Sequence, residues 1–490
     1  MTSYQPWKRA SAIHYLTFSS SSSSLDPLRA MSSDILTPFG HDLRKFFLFD
    51  SKYTNLNHGS FGTYPAAVRD HLRQQQDAVE AQPDKYIRYT YYELLDRSRA
   101  AVAEILHVPI NECVFVSNAT TGVNTVLRNL VYGPSDVIIY FDTTYGACEK
   151  TISSVCETTP ATFRKVEYQF MVDSHSTIVQ KFKDLVKETK REGLTPKVAV
   201  IDTIVSIPGV RFPFEMLVQA CKDEGVLSLI DGAHGIGHIA LDLKQLDADF
   251  FTSNCHKWLF TPRGSAVLHV PVRNQELIRT TFPTSHGFKP LANSNMRNPL
   301  PATAPGKTQF ESLFEFVATV DSAPYLCIPT AIAFRRDVCG GEDKIMHYIR
   351  SVVTKGTNTV ARMLGTEVMA TDASSSDDEL RNCALANVRL PLSIGTTTDA
   401  DIVTSEVDKM CRWIEKTMLD EFHTFLPVFA YGGQLWARFS GQVYLEVSDF
   451  EWGGELLNGL CEAIKVNKGQ QVDALDMTEL KRILRDPSAL

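Results

Sequence analysis

The chain has 490 residues, 44% of them hydrophobic, and a formal net charge of −8, which suits one large or two to three ordinary globular domains. An acidic chain of this kind argues against a broad nucleic-acid or anionic-membrane surface, and we expect neither partner. There is no run of about 18 apolar residues, so no membrane span is expected. Ten scattered cysteines without CxxC spacing argue against a metal site and indicate reduced, buried thiols in a cytoplasmic protein.

The N-terminal stretch is rich in serine, as in "TFSSSSSSLDPLRAMSSD". Such low-complexity sequence cannot build a packed core, and we predict a disordered extension over residues 1–36. It lacks the apolar segment of a signal peptide.

Short apolar runs then alternate with helical patterns. Helices are predicted in "TTGVNTVLRNLV" and in "PFEMLVQACKDEG", where Gly225 ends the second one. Alternating strands and helices are typical of an α/β fold with a mostly parallel sheet. The predicted strands are "CVFVSN" (113–118), "DVIIYF" (136–141), "KVAVID" (197–202) and "VLSLID" (226–231).

The pattern changes near residue 330. We therefore predict a large domain over residues 37–330 and a smaller α+β domain over residues 331–490, ending in a tail helix, "MTELKRILRD". "SDFE" (448–451) has capping-box spacing ahead of the last long helix. The other predicted elements are helices in "YLCIPTAIAFRRDV" (325–338) and "DADIVTSEVDKMCRWIEKTMLDEF" (399–422), and strands in "ANVRLPLSI" (386–394) and "LWARFSGQVYLEV" (435–447).

Ligands of parallel sheets bind outside the carboxyl ends of the strands. After the first strand, Ala119 and Thr120 open a helix, and free N–H groups with the helix dipole make an anion site suited to phosphate. Plain N-capping is the alternative interpretation. Tyr145 follows the second strand and can stack on a flat ligand.

The next two strands end in acidic groups. Asp202 and Ser206 follow the third strand, and Asp231 and His234 follow the fourth. An aspartate at a strand end is usually a turn residue. Lys257 lies further on, in "SNCHKWLF" (253–260). Together these groups match the needs of pyridoxal phosphate (PLP). They offer a site for its phosphate, an aromatic ring to stack on it, a carboxylate for its ring nitrogen, a partner for its phenol and a lysine for its aldehyde.

Six motifs carry a family resemblance. Residues 37–470 resemble fold-type I, class V aminotransferase-like enzymes, the group that contains cysteine desulfurases and isopenicillin N epimerase. The chain is most similar to the fungal subgroup of hercynylcysteine sulfoxide lyases of ergothioneine synthesis and cysteine-desulfhydrase-like enzymes of loline synthesis. The resemblance implies PLP and the two-part architecture given above. The motifs are "LNHGSFGTYP" (56–65), "NATTGVNTVLRNL" (118–130), "TYGACEKT" (144–151), "IDGAHGIGH" (230–238), "HKWLFTPRG" (256–264) and "WARFSGQVY" (436–444).

The resemblance also implies roles for single residues. Lys257 resembles the lysine that bonds the cofactor aldehyde, and Asp231 matches the carboxylate that keeps the pyridine nitrogen protonated. Tyr145 aligns with the residue that stacks on the ring. His234 and Ser206 match contacts of the phenolic oxygen.

Further positions match phosphate and substrate contacts. Arg438 matches the arginine that clamps the substrate α-carboxylate, and Asn57 and His58 lie in the loop that covers the substrate. Thr319 matches a threonine that reaches the phosphate of the partner subunit, which implies a homodimer. The residues that match the phosphate lining are Ala119, Thr120, Asn254 and His256.

Two features depart from the desulfurases. Their mobile-loop cysteine has no counterpart in "HTFLPVFAYGGQLWA" (423–437), and Cys411 lies in a helical pattern, so a persulfide-forming enzyme is not expected. A glycine of the family motif is Ala318 here. We interpret Trp258 and Cys255 as packing residues.

The main functional hypothesis is a PLP-dependent carbon–sulfur lyase that removes the Cα proton of a cysteine-derived amino acid and releases pyruvate and ammonia. Tyr145 or His58 would protonate the departing sulfur. One alternative is an amino-acid epimerase or a β/γ-replacement enzyme of specialised metabolism, which starts with the same proton removal. A non-catalytic PLP-binding scaffold is a third hypothesis, and the joint presence of Lys257, Asp231 and Arg438 argues against it.

Overall fold

A seven-stranded sheet lies at the centre of the computed structural model, which describes residues 37–292, 298–300, 306–372, 378–397 and 399–466. The predicted extension 1–36 and the predicted tail helix lie outside the described residues. The strands in chain order are Cys113–Val116 (β1), Asp136–Phe141 (β2), Thr162–Val166 (β3), Thr195–Asp202 (β4), Ile204–Val205 (β5), Val210–Arg211 (β6), Leu227–Asp231 (β7), Phe250–Asn254 (β8), Ala266–His269 (β9), Leu385–Arg389 (β10), Ile394–Gly395 (β11), Ile402–Val403 (β12), Val428–Tyr431 (β13) and Gln434–Ser440 (β14).

The large sheet has the order β1-β9-β8-β7-β4-β2-β3. Strands β3, β2, β4, β7 and β8 are parallel, whereas β9 runs antiparallel to β8 and β1. All four strands predicted from sequence belong to this sheet, and the mostly parallel α/β fold is confirmed. Every residue of β2 is buried, as expected for a parallel strand covered by helices on both faces.

Helices cover this sheet and build most of the C-terminal part. They are His41–Arg44 (α1), His58–Phe61 (α2), Ala66–Ala81 (α3), Pro83–Lys85 (α4), Tyr91–Leu106 (α5), Ala119–Asn129 (α6), Gly146–Thr158 (α7), His175–Arg191 (α8), Phe214–Glu224 (α9), Leu243–Leu246 (α10), Cys255–Trp258 (α11), Gln309–Glu315 (α12), Ala323–Leu326 (α13), Ile328–Asp337 (α14), Glu342–Leu364 (α15), Val407–Phe422 (α16) and Val447–Val466 (α17).

Local sequence sets the helix ends nearest to the sheet. Asn118 caps α6, because its side chain accepts a hydrogen bond from the N–H of Thr121 at 2.8 Å. Gly225 ends α9 at a φ of 67°, a left-handed conformation that glycine adopts without a Cβ penalty. The predicted end of that helix is therefore confirmed.

The C-terminal part is built on an antiparallel sheet of order β10-β14-β13. The predicted helix 325–338 is divided at Cys327 into α13 and α14. The predicted helix 399–422 was wrong before Val407, because Ile402 and Val403 pair with β11 as a strand. The predicted capping box at 448–451 was also wrong, since α17 already begins at Val447.

The N-terminal segment and the C-terminal part share one hydrophobic core. Leu43, Phe47 and Leu56 pack with Trp258 and with buried residues of β10, β14, α15 and α17. The division at residue 330 stays a prediction. The shared core places the loop after Leu56 against the strand ends that carry the candidate site.

Candidate active site

The carboxyl ends of β4, β7 and β8 bring the predicted residues together. Asp202 and Asp231 are partners in the register of two neighbouring parallel strands, and both side chains are buried. Asn254 ends β8, and the short helix α11 that follows it carries Lys257. The acids and the lysine, which are distant in sequence, therefore meet at one edge of the sheet.

Lys257 lies in a polar but largely dry environment. Its Nζ is 3.0 Å from Nε2 of His234. Burial lowers the pKa of Lys257 from 10.5 to about 8, the charge of Arg438 lowers it further, and the charges of Asp231 and Asp202 oppose the shift. The neutral amine, which is the form able to act as a nucleophile or base, is far better populated here than in an exposed lysine.

Asp231 is held by two donors. One carboxylate oxygen accepts the N–H of Ala233 at 3.0 Å, and the other accepts the thiol of Cys148 at 3.3 Å. Burial raises the pKa of Cys148, which keeps this group a thiol donor. Burial also raises the pKa of Asp231, against the effect of these donors and of Lys257. A cation bound nearby would stabilise its ionised form.

Asp202 is the neighbour of Asp231 and has a different electrostatic state. Burial holds the pKa of Asp202 well above 3.8, and the charge of Asp231 raises it further against the effect of Lys257. Two adjacent buried carboxyls do not ionise together readily. Asp202 is therefore the protonated member of the pair. The sequence marked Asp202 as a strand-end residue but gave it no role.

Trp258 combines packing with a hydrogen bond. Its ring stacks on His238, with centroids 3.7 Å apart, which agrees with the packing interpretation. Its indole N–H also donates to Nδ1 of His234 at 3.2 Å, a contact that the sequence interpretation missed.

Arg335 of α14 is a buried cation that hydrogen-bonds the backbone next to Lys257. Its guanidinium donates to the carbonyls of Trp258 at 2.7 Å and Gly237 at 3.0 Å. It also forms a two-point ion pair with Glu342, at 2.6 and 2.5 Å. Arg335 thus joins the backbone after Lys257 to the backbone after His234.

Arg438 lies on β14 and is 1% exposed. It donates to the carbonyl of Ser206 at 2.5 Å, to Oδ1 of Asn57 at 2.8 Å and to the hydroxyl of Ser60 at 2.7 Å. Burial lowers the pKa of Arg438 to about 10. Within the described residues its Nε has no hydrogen-bond partner. A fixed guanidinium with an unused donor suits a carboxylate ligand.

The loop before α2 packs directly on the lysine backbone. His58 contacts the carbonyl of Lys257 at 2.7 Å through Nε2 and the hydroxyl of Tyr444 at 3.0 Å through Nδ1. Burial lowers the pKa of His58 to about 3. Both ring nitrogens are therefore engaged in a neutral ring. The catalytic role predicted for His58 stays a prediction, and this geometry favours support of the Lys257 backbone instead.

Gly62 permits that close approach. Its φ is 64°, and a Cβ there would lie 1.9 Å from the carbonyl oxygen of His256 and 2.7 Å from Cα of Lys257. Gly62 has a ψ of 171°, a backbone region that is nearly confined to glycine.

The predicted phosphate side lies at the N-terminus of α6. Asn254 accepts the N–H of Ala119 at 2.8 Å, and Thr120 follows in the first turn. His256 bonds the carbonyl of Ser265 through Nδ1 at 3.0 Å, so its Nδ1 is the protonated nitrogen. Burial lowers the pKa of His256 to about 4. Tyr145 is 51% exposed at the start of α7.

Thr319 lies elsewhere on the chain. It is exposed and lines a cavity of about 700 Å³ with Tyr86 and Tyr91, and no residue around Lys257 lines that cavity. Its predicted contact with a cofactor therefore requires a second subunit and stays a prediction. No cluster of three or more potential metal ligands occurs in the described ranges.

The side chains present fit the predicted cofactor. A lysine with a lowered pKa can bond an aldehyde, Asp231 can hold a ring nitrogen, and the α6 N-terminus can hold a phosphate. The unused Nε of Arg438 leaves a donor for a substrate carboxylate. These roles are argued from donor and acceptor chemistry.

Along the described part of the chain, no helix is both long and apolar enough to cross a membrane. All ten cysteines are free and nine of them are buried, which confirms the prediction of buried thiols.

Comparison with known proteins identifies the family. Residues 65–297 match the class-V aminotransferase family. The L-cysteine desulfhydrase-like protein lolT1 of Epichloe uncinata is 42% identical, over 87% of this chain and 97% of its own length. The hercynylcysteine sulfoxide lyase of Schizosaccharomyces pombe is 29% identical, over 86% and 98%. A solved C-DES mutant with glycine covalently linked to its PLP cofactor is 17% identical over 86% and 99%, with a TM-score of 0.63. The chain belongs to the class-V aminotransferase family.

Proposed function

We propose that the protein is a PLP-dependent carbon–sulfur lyase that acts on a cysteine-derived amino acid by β-elimination. The observation that carries the proposal is the half-buried Lys257, whose amine has a pKa of about 8, beside a buried arginine that retains an unused Nε donor in the described structure. A base and a carboxylate clamp are what removal of an α-proton from an amino acid requires. The names of the lolT1 and hercynylcysteine sulfoxide lyase relatives support the sulfur-containing substrate class.

Each residue has a stated task in this proposal. PLP supplies an electron sink that makes the Cα proton acidic. Arg438 binds the α-carboxylate and orients the Cα–H bond, and the amine of Lys257 takes that proton. Asp231 holds a proton on the ring nitrogen, which requires an anionic neighbour. Ser206 and His234 would contact the phenolic oxygen, as the family resemblance implies.

The elimination breaks the Cα–H and Cβ–S bonds. The Cα–H electron pair becomes the Cα=Cβ bond, and the Cβ–S bond breaks with its pair on sulfur. The phenol of Tyr145 gives the departing sulfur a proton. The released aminoacrylate reacts with water to give pyruvate and ammonia. Tyr145 is the exposed phenol at the predicted ring position, whereas His58 has both nitrogens bonded.

The desulfurase reaction has less support. It needs a thiolate on a loop ahead of the substrate-binding arginine. Residues 428–440 instead form the β13–β14 hairpin, and Cys411 is buried in α16, where burial raises its pKa to about 11. A non-catalytic scaffold would need neither the lowered pKa of Lys257 nor the unused Nε of Arg438.

Assembly and location belong to the same proposal. We propose a cytoplasmic homodimer in which Thr319 contributes to the site of the partner subunit. Light scattering of the active protein tests this, since a fully active monomer would contradict the role of Thr319.

Pyruvate release from cysteine S-conjugates and their sulfoxides tests the reaction. The wild type is expected to release pyruvate and ammonia in equal amounts and to form a borohydride-reducible link to the cofactor at Lys257. Lys257→Ala is expected to lose both. A link that persists in this variant would contradict the lysine assignment. Deuterium incorporation with inversion at Cα, without pyruvate, would favour an epimerase.

The role of Tyr145 has its own test. Tyr145→Phe removes the phenol and keeps the ring, so pyruvate release should slow by about 10²-fold or more, the range of a lost general acid. Exchange of the Cα proton should slow much less. Tyr89→Phe is a matched control, because Tyr89 is also exposed, at 65%. Equal slowing of release and exchange in Tyr145→Phe would remove Tyr145 from the protonation step.

A further inference from the structure

The hydrogen bond from Trp258 identifies which nitrogen of His234 carries the proton. An indole N–H can only donate, and it lies 3.2 Å from Nδ1 of His234. Nδ1 must therefore accept and carries no proton. In a neutral imidazole the proton then lies on Nε2.

The surroundings keep His234 neutral. The side chain is 2% exposed, and burial holds its pKa well below 6.5, a shift that positive charge on Lys257 or Arg438 would reinforce. A protonated ring would also have no lone pair for the indole N–H. The neutral ring with the proton on Nε2 satisfies both contacts.

The second contact of His234 then defines the state of the lysine. Nε2 is 3.0 Å from Nζ of Lys257, and Nε2–H is a donor. An ammonium group has three donors and no acceptor, so this contact is a hydrogen bond only when Lys257 is a free amine. We propose that Trp258 is a positioning residue that fixes His234 as the Nε2–H form and thereby favours the free amine of Lys257.

Trp258 is itself held in place. His238 accepts the N–H of Ala384 through Nε2 at 2.7 Å, so its Nδ1–H donates to the carbonyl of His234 at 2.9 Å. The His238 ring stacks on the indole with an interplanar angle of 20°. The indole therefore has little freedom to turn away from Nδ1.

This inference rests on the proposed function only in that it takes Lys257 as the reacting amine. The assignment of the proton can be measured without turnover. Nitrogen-15 NMR of the histidine rings in the full-length, cofactor-free chain distinguishes protonated from unprotonated ring nitrogens. His234→Gln identifies the His234 signals by their loss.

The wild type is expected to show His234 protonated at Nε2 and unprotonated at Nδ1. His238 and His256 should show the opposite form, because each uses Nδ1–H to bond a backbone carbonyl. A wild-type spectrum with the proton on Nδ1 of His234 would overturn the inference.

The effect on Lys257 is measured by reductive methylation across a pH series, followed by mass spectrometry of the peptide. Trp258→Phe keeps an aromatic ring and removes the N–H, so His234 can turn its lone pair toward Nζ and favour the ammonium. The pKa of Lys257 should rise by about one unit, which lowers the free amine at pH 7 about ten-fold. An unchanged profile would contradict the role of Trp258.

Trp436→Phe is the matched control. Trp436 is equally buried, at 1% exposed, and its N–H donates to the carbonyl of Tyr431 at 3.1 Å. This variant should leave the Lys257 profile and the His234 spectrum unchanged. A chain that shows the Nε2–H form but releases no pyruvate would contradict the proposed lyase and leave the present inference intact.

Discussion

The candidate site has two walls, which differ in how many of their polar groups are hydrogen-bonded within the protein. The inner wall, formed by Asp202, Asp231, His234 and Arg438, is buried, and the last three of these side chains are hydrogen-bonded to protein groups. The outer wall, formed by Thr120, Tyr145 and His256, is half-buried or exposed. Most contacts of the inner wall are made within the protein, whereas the outer wall offers contacts that a ligand completes. Substitutions of Asp202, Asp231 and His234 should therefore change protonation, and substitutions of Arg438, Thr120 and His256 should change affinity.

The largest effect is expected at Asp231. Asp231→Asn removes the anion that holds a proton on the ring nitrogen and leaves a buried group without its charge partner. Losses of that kind cost ~3–5 kcal/mol, or roughly two to four decades in kcat/KM. Steady-state kinetics with pyruvate detection measures it. A rate within a few-fold of the wild type would exclude Asp231 as the ring-nitrogen partner.

A smaller loss is expected at Arg438. Arg438→Lys keeps the charge but cannot reproduce the contacts to Ser206, Asn57 and Ser60 together with a two-point grip on a carboxylate. KM should rise by about 30-fold, equivalent to ~2 kcal/mol. Arg389→Lys, on the neighbouring strand and paired with Glu367 near the surface, is the control and should stay close to the wild type.

The pH dependence of the free energy of unfolding tests whether His58 is neutral in the folded protein. His58 has an ordinary pKa of 6.5 and a pKa of about 3 when folded, so the unfolded chain binds more protons between these values and stability falls as pH falls. From pH 7 to pH 5 this group should remove about 2 kcal/mol from the free energy of unfolding.

Urea unfolding of the wild type and of His58→Gln at both pH values measures the difference. The variant should be less stable at pH 7, because it alters the contacts to Lys257 and Tyr444, but its stability should depend less on pH. Equal pH dependence in the two chains would show that folding does not lower the pKa of His58.

The smallest effect is expected at Asp202, which contrasts with its neighbour. Because Asp202 is the protonated member of the pair, Asp202→Asn replaces one neutral polar group with another. The change in kcat/KM should stay within about three-fold, or ~0.7 kcal/mol. A loss as large as that of Asp231→Asn would mean that Asp202 carries the negative charge, and would reverse the assignment within the inner wall.

The parts of the fold that sequence predicted well are those decided by local pattern. "DVIIYF" matches β2 to the residue, because an uninterrupted run rich in β-branched residues suits a strand buried on both faces. The helix predicted over 399–422 failed before Val407 because Ile402 and Val403 pair with β11. That pairing depends on β11, which lies just before the predicted helix, and the helical pattern alone does not contain it.

The site divides in the same way. Asp231 and Lys257 were marked by motifs, and the structure brings both to one edge. The hydrogen-bond partners of Asp231 and Arg438 were not predicted, because Cys148 is 83 residues from Asp231 and Ser60 is 378 residues from Arg438. Trp258 was interpreted as packing, since a sequence does not show where an indole N–H points. A strand-end aspartate followed by a second acidic strand end was the signal that could have found Asp202.

The guanidinium of Arg335 has a mechanical consequence. It hydrogen-bonds the carbonyls of Trp258 and Gly237 and forms an ion pair with Glu342. It therefore links α14 and the start of α15 to the two segments that carry Lys257 and His234. Any hinge motion of the C-terminal part that includes α14 must pull both loops with it. The lysine and its histidine neighbour would then travel as one rigid unit, and their 3.0 Å contact would survive the motion.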